Sequence, residues 1–374
     1  MSRTLLVTND FPPTLGGIQS YLRDFVGTFD PVEILVFAST QDPGAALEHD
    51  SQLPYRVIRW PRRVMLPTPE TAREMARLIR EHDIDTVWFG AAAPLALMAA
   101  AARRAGARRI IATTHGHEVG WSMLPGARQV LRRIGDTVDT VTYISDYTLS
   151  RFRRAVGSHP EFVHLPSGVD TGVFTPADAQ SRAATRERFG LGEGPVIICV
   201  SRLVPRKGQD QLIRVLPGLR ATHPELSLVL VGGGGHEKHL RSLAGDDPGV
   251  VFTGRLPFPD MVDLLAASDI FAMPVRTRGR GLDVEGLGIV YLEAQACGLP
   301  VLAGDSGGAP ETVNADTGIV VDGRDLSEIT TALERLLADP GLRARMGRAG
   351  RAHVEKHWTW DIMGSRLQEL TATQ

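Results

Sequence analysis

Glu285 and Glu293 stand eight residues apart and bracket Gly286, Leu287, Gly288, Ile289 and Val290. If a helix begins near Gly288, Glu293 lies on its second turn and Glu285 in the loop before it. The helix-start amides between them then have no intrahelical partner. Carboxylates so placed accept hydrogen bonds from sugar or ribose hydroxyls, and the amides of residues 286 to 290 suit a sugar and its phosphates. Helix capping is the other use such glutamates find. Upstream, Ser201-Arg202-Leu203-Val204-Pro205-Arg206-Lys207-Gly208 places cations in a loop that leads into a helix. Arg202 offers a planar two-pronged fork and Lys207 a compact charge, and together they neutralise the charge that grows on a departing diphosphate. Arg206, between Pro205 and Lys207, reads as a spare, solvated cation.

Nearer the N-terminus, Asn9-Asp10-Phe11-Pro12-Pro13-Thr14-Leu15-Gly16-Gly17-Ile18 follows an apolar run. Gly16 and Gly17, just before a helix, let backbone amides approach an anionic group. The spacing is not that of the G-x-G-x-x-G dinucleotide loop. Thr114-His115-Gly116-His117-Glu118 also follows an apolar run, and a histidine there is either a hydrogen-bonded structural residue or a group at a site. Asp83-Ile84-Asp85 spells a D-x-D, but it falls just before a strand, on the edge away from ligand-binding loops. It reads as a solvated turn.

Short β-branched or apolar runs alternate with helical patterns along the whole chain, the signature of βα units around parallel sheets. The first series predicts strands at 4–8, 33–37, 86–89, 109–113, 140–144 and 162–164, with helices such as 18–28 and 70–81. The second predicts strands at 196–201, 227–231, 250–253, 270–273, 301–303 and 318–321. Turn signals around Gly168 to Pro176 mark the boundary between them. The expected organisation is an α/β chain of two Rossmann-like, doubly wound domains, residues 1–170 and 171–356, with a terminal helix, 357–374, crossing back to the first. In open parallel sheets of this kind the ligand gathers at the strand C-termini, which points to a cleft between the domains.

The chain has 374 residues, 43% hydrophobic and 22% charged, with a formal net charge of -2. That excludes a disordered chain, and it gives no overall field that recruits nucleic acid. The two cysteines, Cys199 and Cys297, cannot build a disulfide framework or a multi-cysteine metal site. No export signal precedes the first apolar run, and the uncharged stretch 86–102 falls short of the ~20 apolar residues a spanning helix needs.

Gly16-Gly17, the Arg202–Lys207 loop and the E-x7-E string together resemble the retaining GT-B glycosyltransferases of family four, in order across nearly the whole chain. The resemblance implies a nucleotide-diphosphate sugar held mainly by the second domain and an acceptor entering along the first. It implies that Arg202 and Lys207 bind the diphosphate, Glu285 the donor sugar and Glu293 the ribose. It further implies that the turn Gly254-Arg255-Leu256 receives the base with its backbone, flanked by Gly232, and that His115, rather than His117, is the acceptor-side histidine. No metal or cofactor is implied, because cations and helix N-termini take that role. Residues 7–13, 88–95, 114–121 and 276–285 carry a closer likeness, to an actinobacterial group within this family. That group uses GDP-mannose and a phosphatidylinositol monomannoside and forms an α-1,6 linkage. The donor and the linkage come from the resemblance alone.

Such an acceptor would place the chain in the cytoplasm, peripheral on the inner face of the plasma membrane. Residues 125–136 read as a short basic amphipathic helix with Ala127, Val130, Leu131 and Ile134 on one side and Arg128, Arg132 and Arg133 on the other. Preceded by Trp121, Met123 and Leu124, it could rest on an anionic leaflet with its apolar face among acyl chains. The other use of the pattern is a core-facing helix with a solvated basic side. Three functional alternatives stay open: a transferase acting on a soluble acceptor, a nucleotide-sugar epimerase of the same fold, and a silent nucleotide-sugar sensor.

Overall fold

The computed structural model describes residues 3–372. The chain divides into two compact units, Met1–Gly168 with Trp360–Gln374, and Val169–Thr359.

Among the described residues, the first unit holds a parallel sheet of seven strands: β1 (Thr4–Thr8), β2 (Ile34–Ser39), β3 (Arg56–Trp60), β4 (Thr86–Phe89), β5 (Arg109–Thr113), β6 (Thr140–Tyr143) and β7 (Glu161–His164). Their order is β3-β2-β1-β4-β5-β6-β7. The central β1 pairs with β2 and β4, setting Val7 beside Phe37 and Phe89. β1, β2 and β4 are wholly buried, as strands covered by helices on both faces must be. β3 is the strand that periodicity did not predict. Arg56 and Arg59 interrupt its apolar run, and it can carry them because it lies at the edge of the sheet, with Arg56 exposed. The other strands fall within two residues of expectation.

The helix expected at 18–28 runs from Gly17 to Val26, and the one expected at 70–81 from Pro69 to Glu81. Thr68 caps the latter by accepting from Thr71 N. The stretch 86–102 resolves into β4, a single 3-10 turn at Leu95–Met98 and the helix Ala99–Ala105. The Asp83–Asp85 turn stands at the N-terminal end of β4 as expected, with Asp83 at a φ of 52° and Asp85 beside Arg3 N and Arg108.

The Trp360–Thr371 helix packs within this unit. The Trp360 ring meets Phe25 edge-on at 5.1 Å, and Gln368 Nε2 donates to Thr28 O at 2.7 Å. Thr86 Oγ1 donates to Thr371 O at 3.1 Å.

The second unit repeats the plan with β8 (Val196–Val200), β9 (Ser227–Val231), β10 (Val250–Gly254), β11 (Ile270–Met273), β12 (Val301–Gly304) and β13 (Gly318–Val321), in the order β10-β9-β8-β11-β12-β13. In each sheet the order reverses beside its first strand, between β1 and β4 and between β8 and β11. Loops diverge at such a switch point and leave room for a ligand. Among the described residues, no helix is long and apolar enough to cross a membrane.

Candidate active site

At the switch point of the second unit, the loop after β8 with the start of the helix that follows it and the loop after β11 face each other and are fastened by four ion pairs. Lys207 Nζ lies 2.6 Å from Glu285 Oε2, each side chain 9% exposed. Arg276 reaches both carboxylate oxygens of the buried Asp210 at 2.9 Å. Arg206 bridges Asp283 at 3.3 Å and Glu285 at 3.8 Å. Arg206 is therefore not the solvated cation expected: at 17% exposure its charge is spent on the carboxylates of the opposite loop. Arg276 N–H also donates to Arg206 O at 2.9 Å, so backbone joins backbone along the same line.

This network holds Lys207 and Glu285 in place before any ligand arrives. Such preorganisation is what a site needs to stabilise developing charge without rearranging. Arg202 differs from them. It is exposed, and among the described residues its guanidinium makes no ion pair or hydrogen bond. It is the cation of this loop left free for a ligand.

The helix after Glu285 begins as the spacing predicted. Ile289–Ala296 is helical, Gly288 caps it, and Glu293 falls on the second turn. Gly288 has a φ of 89°, and a Cβ there would meet the Tyr291 ring, so glycine is required on both counts. Tyr291 in turn donates to Met273 O at 2.6 Å, locking this helix to β11. The Leu287 side chain is buried, which leaves only its backbone to face a ligand, while Gly286, Ile289 and Val290 are partly exposed. Burial pushes the Glu293 carboxyl up to about 7.

The glycine loop after β9 joins the same edge. Gly232 N–H donates to Gly254 O at 2.8 Å, and Leu203 N–H donates to Gly233 O at 3.1 Å. Gly232, Gly254, Arg255 and the Arg202 loop are thus brought together. Leu256 is partly exposed beside them.

At the switch point of the first unit, Gly16 and Gly17 open the first helix, both exposed. Gln19, one turn on, donates to Asp10 Oδ1 at 3.1 Å, and Asp10 is itself raised by burial. His115 Nε2 lies 2.6 Å from Gly90 O, so the ring donates from Nε2 and, when neutral, keeps Nδ1 as an acceptor. The ring stands edge-on to Tyr21 at 4.9 Å, and burial lowers its pKa to about 4. The buried Glu118 carboxylate accepts from His115 N at 3.2 Å and Gly116 N at 3.1 Å, fixing the turn that presents the ring. His117 is exposed. Asp10, Gln19 and Glu118 are candidate residues that the sequence did not single out. Their signal was only their place next to the glycines and the histidine.

The 125–136 segment is helical over Pro125–Gly135, but its apolar side is not free. Leu131 and Ile134 are each 1% exposed in the core of the first unit, and Val130 and Trp121 pack against the same cluster. The expectation that this face lies among acyl chains is overturned, because the core already covers it. The arginine side remains outward: Arg128, Arg132 and Arg133 are exposed, with Met123 and Leu124 at 47% and 62% exposure beside them. A hollow of about 510 Å³ lies along this side, lined by Ser122, Met123, Arg128, Arg132 and Arg154 among others.

A two-layered site of this kind, cations after one central strand and two carboxylates flanking a glycine-capped helix start, is that of a nucleotide-sugar glycosyltransferase. Residues 15–173 match the model of Glycosyltransferase Family 4, and residues 181–353 that of Glycosyl transferases group 1. The chain is 62% identical, over 100% of its length and 98% of the relative's, to the GDP-mannose-dependent monoacylated alpha-(1-6)-phosphatidylinositol monomannoside mannosyltransferase of Corynebacterium glutamicum. It is 57% identical to the GDP-mannose-dependent alpha-(1-6)-phosphatidylinositol monomannoside mannosyltransferase of Mycolicibacterium smegmatis, over 98% of this chain and 97% of that one. The chain therefore belongs to the family of phosphatidylinositol monomannoside mannosyltransferases. Its fold is similar to that of Anabaena Alr3699/HepE in complex with UDP, with a TM-score of 0.80 at 20% identity over 99% of each chain. It is likewise similar to the sucrose-phosphate synthase of Thermosynechococcus elongatus, with a TM-score of 0.78 at 21% identity over 98% of each.

Proposed function

We propose that the chain transfers mannose from GDP-mannose to phosphatidylinositol monomannoside, adding the second mannose through an α-1,6 linkage with retention of configuration. The observation that carries this reading is the 62% identity along the full chain to a relative of that name. The cation and carboxylate cluster on the second unit is the chemistry such a transfer needs.

In this reading Arg202 and Lys207 take the diphosphate, Glu285 orients the mannose hydroxyls and Glu293 receives the ribose. The bond from the anomeric carbon to the diphosphate oxygen breaks as the acceptor oxygen bonds to the same face. The departing oxygen takes the acceptor's proton, and the two cations neutralise the charge left behind. His115, neutral at physiological pH, offers Nδ1 as a hydrogen-bond acceptor on the acceptor side. The exposed arginines of the Pro125–Gly135 helix meet an anionic lipid surface through charge rather than by burying an apolar face.

The test is incubation of the purified protein with GDP-mannose and either the monomannosylated inositol lipid or free inositol and soluble mannosides. Transfer to the lipid alone supports the reading. Transfer to soluble acceptors without lipid, or release of free sugar, contradicts it.

A further inference from the structure

Arg56 on β3 is exposed, but Arg59 on the same edge strand is not: its side chain is 15% exposed, and its guanidinium reaches the loop that follows β1. Nε and Nη2 donate to the two carboxylate oxygens of Asp50 at 2.8 and 2.7 Å. Nη1 donates to Ser39 O at 3.2 Å, and Nη2 donates to Pro12 O at 2.6 Å. The guanidinium also lies 5.7 Å from the centroid of the buried Phe11 ring. An ion pair so far from water adds little net stability over an apolar pair, so the fold alone gives weak reason for it. The loop from Asn9 to Gly17, by contrast, needs donors from outside. Pro12 and Pro13 bring no N–H, so this segment is held through its carbonyls. Ser39 Oγ and Gln41 Nε2 donate to Asn9 O at 3.0 and 3.2 Å, and the Asn9 side chain accepts from Met65 N at 2.6 Å and donates to Met65 O at 2.9 Å. Those bonds fix the start of the loop. Arg59 fixes it further on, at Pro12, between Asp10 and Gly16 in the chain.

We infer that Arg59 is a positioning residue for the transfer: anchored on Asp50, it holds the Pro12 carbonyl and thereby sets where Asp10 and the Gly16–Gly17 amides stand. The inference rests on the proposed reading of the first unit's switch point as part of the transfer site, and adds to it a group that acts through the loop. A guanidinium suits the task because its planar fork satisfies Asp50 along one edge and leaves N–H groups for two carbonyls. Lysine can pair with Asp50, but its single nitrogen lacks the spread to reach Ser39 O and Pro12 O as well. Beyond Pro12 the loop stands out from the fold, with Leu15 94% exposed. A shift at Pro12 is therefore carried on to Gly16. Misplacing reacting groups by about 1 Å costs up to about a hundredfold in rate.

The test is steady-state transfer from GDP-mannose to phosphatidylinositol monomannoside by the full chain, with thermal melts and GDP titrations alongside. It compares the wild type, Arg59→Ala, Arg59→Lys and Leu78→Ala. Leu78 lies buried in the core of the same unit on the Pro69–Glu81 helix, so its variant loses stability by opening a cavity while the Arg59 bonds remain. Arg59→Ala should lower kcat about tenfold or more while GDP affinity stays within about twofold. Arg59→Lys should regain the melting temperature but not kcat, and Leu78→Ala, assayed well below its melt, should keep the wild-type kcat. Recovery of kcat together with stability in Arg59→Lys would overturn the inference. So would an unaltered kcat in Arg59→Ala, a fall in GDP affinity matching the fall in kcat, or an equal loss of kcat in Leu78→Ala. The lysine variant keeps the test decisive if the alanine variant fails to fold. A wild type that transfers nothing to the lipid would instead overturn the proposed reading, and the inference with it.

Discussion

Lys207 Nζ and Glu285 Oε2 are 2.6 Å apart, with both side chains 9% exposed, and they join the loop after β8 to the loop that precedes the Ile289–Ala296 helix. Removing Glu285 strands the buried Lys207 charge, and removing Lys207 leaves Glu285 only the more distant Arg206 at 3.8 Å; breaking a buried pair typically costs about 3–5 kcal/mol. Lys207→Ala and Glu285→Ala should each lower stability by about that much. The double variant should lose less than the sum, because the second removal relieves the first. Denaturant unfolding of the four proteins measures this; strictly additive losses would show that the pair does not couple the loops.

In the proposed reading, Glu293 gives the donor site a pH dependence. Its carboxyl titrates at about 7 instead of 4.5 because burial disfavours the charge. Hydroxyls donate more strongly to a carboxylate than to the protonated acid. Affinity for GDP-mannose should therefore rise as pH increases through about 7 and flatten above it, and Glu293→Gln should abolish the rise. For stability the sign is opposite. The folded state holds the proton more tightly, so this group's contribution is full below 4.5 and is lost as pH rises through about 7. Titrations from pH 6 to pH 8.5, run in parallel on both proteins, check the first statement, and thermal melts at the same pH values check the second.

His115 should matter to transfer and not to nucleotide binding. Its Nε2 is committed to Gly90 O, and it belongs to the first unit, whereas the cations and carboxylates of the donor site belong to the second. His115→Ala should lower the rate of transfer about a hundredfold, the scale of losing one positioned polar group, and leave GDP affinity within about twofold. Because the folded pKa is about 4 against 6.5, the ring's stability contribution is present above 6.5 and is lost as pH falls towards 4. A large loss of GDP affinity in the variant would contradict the acceptor-side role.

In the proposed reading, the outward arginines of the Pro125–Gly135 helix are the surface for an anionic lipid. Reversing Arg128, Arg132 and Arg133 to glutamate should abolish cosedimentation with vesicles containing phosphatidylinositol, at about 1 kcal/mol per charge near the surface, and leave thermal stability nearly unchanged. Leu131→Ala should do the reverse: it opens the core at a cost of about 2–5 kcal/mol without altering surface charge. Unchanged cosedimentation of the triple variant would remove the membrane from the account.

Much of this was legible in one sequence because it is local. Apolar runs mark the strands that are buried on both faces, and the string from Glu285 to Glu293 by itself specifies a loop, a glycine cap and a second-turn carboxylate. What was not legible depends on partners distant in the chain. β3 was hidden because an edge strand need not be apolar. Arg206 looked spare because Asp283 and Glu285, which occupy it, lie some eighty residues away. The Asp210–Arg276 pair was invisible for the same reason. The Pro125–Gly135 helix shows the opposite error. Its amphipathic pattern is real, but such a pattern does not distinguish a core from a bilayer on the apolar side.

The central claim is that the edge of the second unit holds a guanosine diphosphate sugar with its own cations and helix amides. Calorimetric titration with GDP, UDP and ADP in EDTA, on the wild type and on Arg202→Ala, tests it most directly. The account predicts GDP preference that survives chelation. Affinity should fall roughly tenfold or more in Arg202→Ala, whose exposed side chain has no structural partner to lose. Preference for UDP, or GDP binding indifferent to Arg202, would contradict it.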